Sequence, residues 1–315
     1  MKILSLILVA FSLSACGPTS MRSFATVEVT APSLLPKQWG ETIDFQGIPL
    51  RSGQIITSNS NTALNLIVTL TDTDHHPYAH AGIILIEQGK PYVYHAVARL
   101  RLLFNGSPTD ITKGVIERWP LMEFLKNKMV VAIYDPPSPA IGKSMSEFAV
   151  RSRRERLAYD AVFDELDRSK VYCSEFIVSA LEASGDRPVP VRPRSSHPSI
   201  DIIHEWLSIK AKGHYFVSDL VDDNRLVALL SERLTRQQID VYIGLRAELF
   251  RRFTPDQKIG NMMSWTGFGV KLRPEIERFV QRGIDGEFRE RGEGESQQDW
   301  IMALADEVFG PVAGG

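Results

Sequence analysis

Apolar positions along this 315-residue chain follow three regimes in turn. The first is one unbroken run, Ile3 to Leu13, behind Lys2 and ahead of small residues. At about 11 residues it falls short of the roughly 20 needed to cross a bilayer, and its charged start, apolar middle and small-residue end are those of an export signal. The second regime, through about residue 135, reads as mostly β. Gly53-Gln54-Ile55-Ile56 opens a short apolar strand, and Ala79 to Ile86 is a β-branched run. Gln88-Gly89-Lys90-Pro91 is a turn, and Tyr92 to Val97 returns, which together predict a hairpin. Met129 to Tyr134 is another buried-type strand, stopped by Pro136-Pro137.

The third regime carries helical spacing. Residues 144–167 show it with a basic face at Arg151, Arg153, Arg154 and Arg156, which reads as solvated surface. Phe176, Ile177, Ala180 and Leu181 recur at the same spacing after Cys173, and Gly185 suits the helix end, so Cys173 lies near a helix N-terminus. A proline- and arginine-rich loop spans 186–198. Beyond about residue 225 the character is helical, with Ile239, Tyr242, Ile243, Leu249, Phe250 and Phe253 on one stripe. Thr235 and Gln238 fit a capping box, and Pro255 and Pro274 each suit a first helical turn. A charged loop, Gly286 to Ser296, precedes a last helix from Gln297 to Phe309.

Composition narrows the class. Apolar content of 43% and charged content of 23% are those of a globular protein. A formal net charge of -2 supplies no basic field and argues against nucleic acid as a partner. The chain holds two cysteines, and each sits in its own motif. Leu13-Ser14-Ala15-Cys16 resembles the bacterial lipoprotein lipobox. The resemblance implies cleavage before Cys16 and acyl chains on it, which anchor the protein to a membrane. Gly17, in place of the aspartate that retains such proteins in the inner membrane, favours the periplasmic side of the outer membrane. Once Cys16 is acylated, Cys173 has no disulfide partner. It is then a buried small hydrophobe or a free thiol kept for chemistry.

A thiol attacks as its thiolate, which a helix N-terminus and a neighbouring imidazolium both favour. Cys173 at a helix start meets the first condition. His80 and His95, on the two arms of the hairpin, are candidates for the second and for a residue orienting the first imidazole, although their facing depends on register. Tyr172 beside the thiol either lines a substrate pocket or packs. Glu175 reads as structural. Cys173's own N–H is a candidate oxyanion donor. His75 and His76, with Asp74 and His80, invite a metal reading. Pro77 breaks the helical pairing of His76 with His80, and neither Cys-x-x-Cys nor His-Glu-x-x-His occurs, so no metal or cofactor is expected. His197, His204 and His214 read as surface or core residues.

His80-Ala81-Gly82-Ile83, a turn, and Val93-Tyr94-His95-Ala96 together resemble the histidine hairpin of NlpC-type cysteine peptidases. Tyr159-Asp160 with Phe163, then Tyr172-Cys173-Ser174-Glu175, follow the hairpin rather than precede it. That order resembles the circularly permuted, YiiX/YaeF-like branch of papain-fold hydrolases, over about residues 53–230. The resemblance implies Cys173 as nucleophile, His80 as general base and acid, and His95 as the residue orienting His80. Gln54 departs from the Gly-Asp usual there.

The expectation is therefore an α+β permuted papain-like domain with an antiparallel sheet and a nucleophile helix. Residues 1–15 would be the signal, 16–35 a tether, 36–232 the hydrolase domain and 233–315 a helical extension. The expected reaction is cleavage of an amide through an acyl-enzyme, with a cell-wall peptide or acyl amide as substrate. An acyl-lipid hydrolase or acyltransferase on the same fold, and a non-catalytic ligand-binding lipoprotein, remain the alternatives. The sequence leaves oligomeric state open.

Overall fold

The computed structural model describes residues 25–29, 42–98 and 114–312, apart from 161–162, 165, 187, 196, 199, 202–204, 206–209, 212, 254–260, 267–268 and 287–295. Cys16, the signal and most of the tether therefore lie outside the described residues.

The strands in chain order are β1 (Ala25–Val29), β2 (Thr42–Phe45), β3 (Ile48–Arg51), β4 (Ile55–Asn59), β5 (His80–Glu87), β6 (Lys90–Val97), β7 (Val115–Pro120) and β8 (Val130–Tyr134). They continue with β9 (Ala158–Tyr159), β10 (Lys170–Val171), β11 (Arg192–Pro193), β12 (Gly213–His214), β13 (Leu226–Ser231), β14 (Met263–Thr266) and β15 (Gly269–Leu272). The α-helices are α1 (Ala63–Leu70), α2 (Leu121–Leu125), α3 (Pro139–Arg154), α4 (Cys173–Ala183), α5 (Arg236–Phe253), α6 (Pro274–Gly286) and α7 (Gln297–Phe309). The class is mixed α+β.

One nine-stranded sheet dominates, in the order β1-β13-β8-β4-β5-β6-β7-β9-β10. Its pairings are antiparallel except β9 with β10, which is parallel. Side chains alternate across a strand, and the two faces build two cores. Ala81, Ile83, Leu85, Tyr94 and Ala96 share one with Met145 and Ala149 of α3 and Phe176, Ile177 and Ala180 of α4. Ile84, Ile86, Val93, Val131 and Ile133 share the other with Leu121, Phe124 and Leu125 of α2 and Ile48 and Leu50 of β3.

The central hairpin forms where its composition predicts. Its loop is only two residues, Gln88 (φ +52°) and Gly89 (φ +73°), between the paired Glu87 and Lys90. Positive φ at both positions is the tight turn whose twist matches that of the strands.

The helical pattern read over 144–167 is realised earlier and shorter. Ser138 caps α3, its side chain accepting from the N–H of Ile141, and Pro139 occupies the first turn. Arg156 takes a φ of +59°, which ends the helix and turns the chain into β9. Arg151, Arg153, Arg154 and Arg156 are exposed, as expected.

The segment beyond residue 225 is less uniformly helical than its composition suggests. Leu226 to Leu230 is a nearly unbroken apolar run because β13 lies between β1 and β8, and Val227 to Ser231 are buried. A strand enclosed in this way loses the alternation that would identify it. The β14–β15 hairpin adds a second departure. The capping box forms in both halves: the Thr235 N–H donates to Gln238 Oε1 (2.9 Å) and the Gln238 N–H to Thr235 Oγ1 (3.3 Å). Pro274 begins α6, whereas Pro255 lies outside the described residues. Ile239, Tyr242, Leu245 and Leu249 of α5 share the core of the α4 face, as do Ile276 and Phe279 of α6 and Ile301 of α7.

Candidate active site

Tyr172 places the thiol. Its extended backbone (φ -93°, ψ 179°) makes it the residue before α4, so Cys173 is the first helical residue. The Tyr172 ring packs on Phe163 (centroids 5.0 Å apart) and His214 (6.3 Å), and its hydroxyl accepts from the Tyr215 N–H at 2.8 Å. At 2% exposure Tyr172 belongs to the core. Its ring and hydroxyl hold the start of α4. Ser174 Oγ donates to the Tyr215 carbonyl at 2.6 Å, and buried Glu175 faces Arg168 at 3.8 Å. At the far end Gly185 (φ +77°) donates to the Glu182 carbonyl and Asp186 to that of Leu181, a Schellman closure.

The histidines meet on the hairpin. His80 Nε2 and His95 Nδ1 are 2.9 Å apart, with the rings edge to face at 5.1 Å. Phe124 stacks on His80 (6.0 Å) and meets His95 edge-on (5.2 Å), while Trp119 closes the other side of His95 at 4.8 Å. Trp119 Nε1 donates to Glu117 Oε2 at 2.7 Å, and Glu117 is paired with His95 across the sheet. Gly82 makes room for this arrangement. A Cβ there would lie 2.8 Å from Val93 Cγ1, 2.9 Å from the Tyr94 carbonyl oxygen and 3.1 Å from His95 Cβ.

The thiol reaches the pair through backbone. Pairing of β5 with β6 ends at Ile83↔Tyr94, short of Ala81. The Ala81 N–H points at the Cys173 sulfur, one residue along from His80. No hydrogen bond joins the thiol to the His80 ring. The structure brings the two imidazoles to each other and the thiol to the residue beside them.

The electrostatics differ from the expected thiolate–imidazolium pair. Burial pushes the Cys173 thiol above its ordinary range, and the N–H groups of Ala81, Ser174 and Cys173 itself offset this only in part. His80 is held well below its usual range by burial, then by His95 and Lys128. His95 falls to about 3 by burial and then Lys128, with Glu117 opposing. Near neutral pH the resting groups are a thiol and two neutral imidazoles. Lys128, its Nζ 5.3 Å from the Phe124 centroid, is a local cation that no motif announced.

His75 and His76 lie elsewhere. His76 Nε2 is 3.1 Å from Asp72 Oδ2, and Arg192 bridges Asp72 (3.0 Å), Asp74 (3.4 Å) and Asp219 (2.9 Å). Among the described residues, no group of three or more His, Cys, Asp or Glu side chains is placed to hold a metal ion. His197 and His214 are buried, and His204 lies outside the described residues. Gln54 is wholly buried: its Nε2 donates to Asp135 Oδ1 (2.9 Å) and the Pro49 carbonyl (3.2 Å), and its Oε1 accepts from the Arg51 N–H. No described helix is long and apolar enough to cross a membrane.

A crystal structure of the metalloprotein yiiX from Escherichia coli O157:H7 (DUF1105) is similar to this chain, with a TM-score of 0.44 and 18% sequence identity. The match covers 56% of this chain and 95% of that one. No protein-family model matches the chain, and no curated protein matches it.

Proposed function

We propose that the protein is a cysteine hydrolase of the permuted NlpC-like papain class, cleaving an amide through an acyl-enzyme. The observation that carries the reading is the 2.9 Å His80–His95 contact beside a thiol that opens a helix and receives the Ala81 N–H. For His80 to act as base, its Nε2–H donates to His95 Nδ1, which leaves Nδ1 free to accept a proton. His95 then carries its own proton on Nε2. On attack, His80 Nδ1 takes the Cys173 proton as sulfur bonds to the substrate carbonyl carbon. The imidazolium returns that proton to the departing amine as the carbon–nitrogen bond breaks and a thioester remains. Water, deprotonated by His80, then cleaves the thioester and restores the thiol. The N–H groups at the start of α4 are suited to the developing oxyanion. With the lipid anchor at Cys16 on the envelope membrane, cell-wall peptides are the substrate class of choice.

The test is acylation itself. The protein is incubated with p-nitrophenyl acyl esters and with murein-type peptides, and intact mass and peptide mapping follow. An acyl adduct on Cys173, absent in Cys173→Ala and formed about 10²–10⁴ times more slowly in His80→Ala, is expected. Hydrolysis that survives Cys173→Ala, or a Cys173 that acylates equally fast without His80, would sink the proposal.

A further inference from the structure

One face of α5 carries Tyr242, Arg246 and Phe250 at successive helical turns. The three meet the end of β4, the end of α1 and the loop that leads into β5. Tyr242 Oη donates to Asn59 Oδ1 at 3.2 Å, Arg246 Nη2 donates to Thr69 Oγ1 at 3.1 Å, and the Phe250 ring meets the His75 ring edge-on at 5.8 Å. Arg246 is only 2% exposed, yet among the described residues no carboxylate pairs with it. Arg118, Arg192 and Arg252, by contrast, are each matched to carboxylates. Among the described residues, Arg246 Nη1 and His75 Nε2 are both buried with no hydrogen-bond partner, and Arg246 lies close enough to His75 to disfavour its charged form. Asp72, the nearby acid, is already engaged by His76 and Arg192.

A buried guanidinium without a counter-charge is strongly disfavoured, and native proteins supply one. We propose that Arg246 and His75 form a binding site for a small oxyanion, a carboxylate or phosphate group, clamped between α5 and the loop before β5. The planar guanidinium presents parallel N–H donors that suit such a group. His75 adds a neutral N–H, since burial, then His76 and Arg246, hold its pKa down to about 4. The occupant ties the C-terminal helices to the loop that delivers His80, five residues after His75. The site does not rest on the hydrolase reading.

The experiment is thermal unfolding of the purified full chain at fixed ionic strength, with sodium acetate or sodium phosphate replacing sodium chloride. A ligand that binds only the folded state raises Tm with its concentration. The wild-type Tm is expected to rise by about 3 °C or more and to saturate with at least one oxyanion. Arg246→Met, similar in length and uncharged, should show no rise. His75→Leu should move half-saturation to about tenfold higher anion, the loss of one hydrogen bond to a charged group. The response to acetate against phosphate separates a carboxylate site from a phosphate site. If Arg246→Met does not fold, the wild-type and His75→Leu titrations decide alone. A wild-type Tm that does not distinguish either oxyanion from chloride, a shift that persists in Arg246→Met, or a half-saturation unmoved by His75→Leu overturns the proposal.

Discussion

Cys173 shows how far burial outweighs local geometry. A helix start and an aimed N–H favour the thiolate, yet desolvation is the larger influence and the thiol's pKa is raised. Alkylation by iodoacetamide should therefore titrate with a midpoint above the free-thiol value of about 8.5. A midpoint below it would mean that His80 is charged at rest and forms an ion pair with the sulfur. The histidines give a second prediction, this time for stability. His75 falls to about 4 and His95 to about 3. Between those values and the unfolded value of about 6.5, the unfolded chain binds the extra protons. The stability contributed by each neutral ring is fully present above about pH 6.5 and is lost as pH falls, by up to about 1.4 kcal/mol per unit per histidine. Urea denaturation from pH 7 to pH 5 should show this decline, and His75→Phe should flatten it. A pH-independent midpoint would refute the burial of neutral imidazoles.

At the scale of elements, the hairpin and α4 place the candidate residues, and glycine decides whether they fit. Gly82→Ala drives a Cβ to 2.8 Å from Val93 Cγ1 and 3.1 Å from His95 Cβ. Overpacking of this kind costs about 1–3 kcal/mol. Its larger effect should be a displaced His95 ring, with acylation of Cys173 slowed toward the level of His95→Ala. Gly185→Ala meets open space but sits at φ +77°, so it should lower stability by about 1 kcal/mol and leave acylation unchanged. Equal loss of activity in both variants would mean that helix stability, and not the position of His95, governs the thiol. The hairpin, the helix start at Cys173 and the capping box were legible because each is written locally, in turn residues, spacing and caps. The meeting of His80 with His95 was not, since it depends on register, and a one-residue slip reverses both side chains. Lys128 and the fate of Tyr172 were hidden for a related reason: nothing within a few residues of either says which core it joins. For β13 the signal was erased by burial itself, because an enclosed strand and a buried helix segment read alike.

For the whole molecule, the question is whether residues 233–315 are an appendage or part of the body that holds the site. Their composition suggests a small helical appendage. Ile239, Val241, Tyr242, Leu245 and Leu249 of α5 lie in the same apolar cluster as Ala81, Ile83 and the α4 residues beneath Cys173. Arg252, in turn, holds α5 to α7 through Glu248, Asp306 and the Gly310 carbonyl. Removing these elements would strip the cover from Leu66 and Leu70 of α1 and leave Asn59 and Thr69 without their α5 partners. Each large apolar side chain so exposed forfeits about 1.5–3 kcal/mol of burial, and a domain's whole stability is only about 5–15 kcal/mol. A chain ending at residue 232 should therefore fail to show a cooperative thermal transition and should bind hydrophobic dyes. A truncated protein that melts cooperatively and still acylates at Cys173 would make the helices a separable module. If it acylates faster than the full chain, they act as a cover over the thiol.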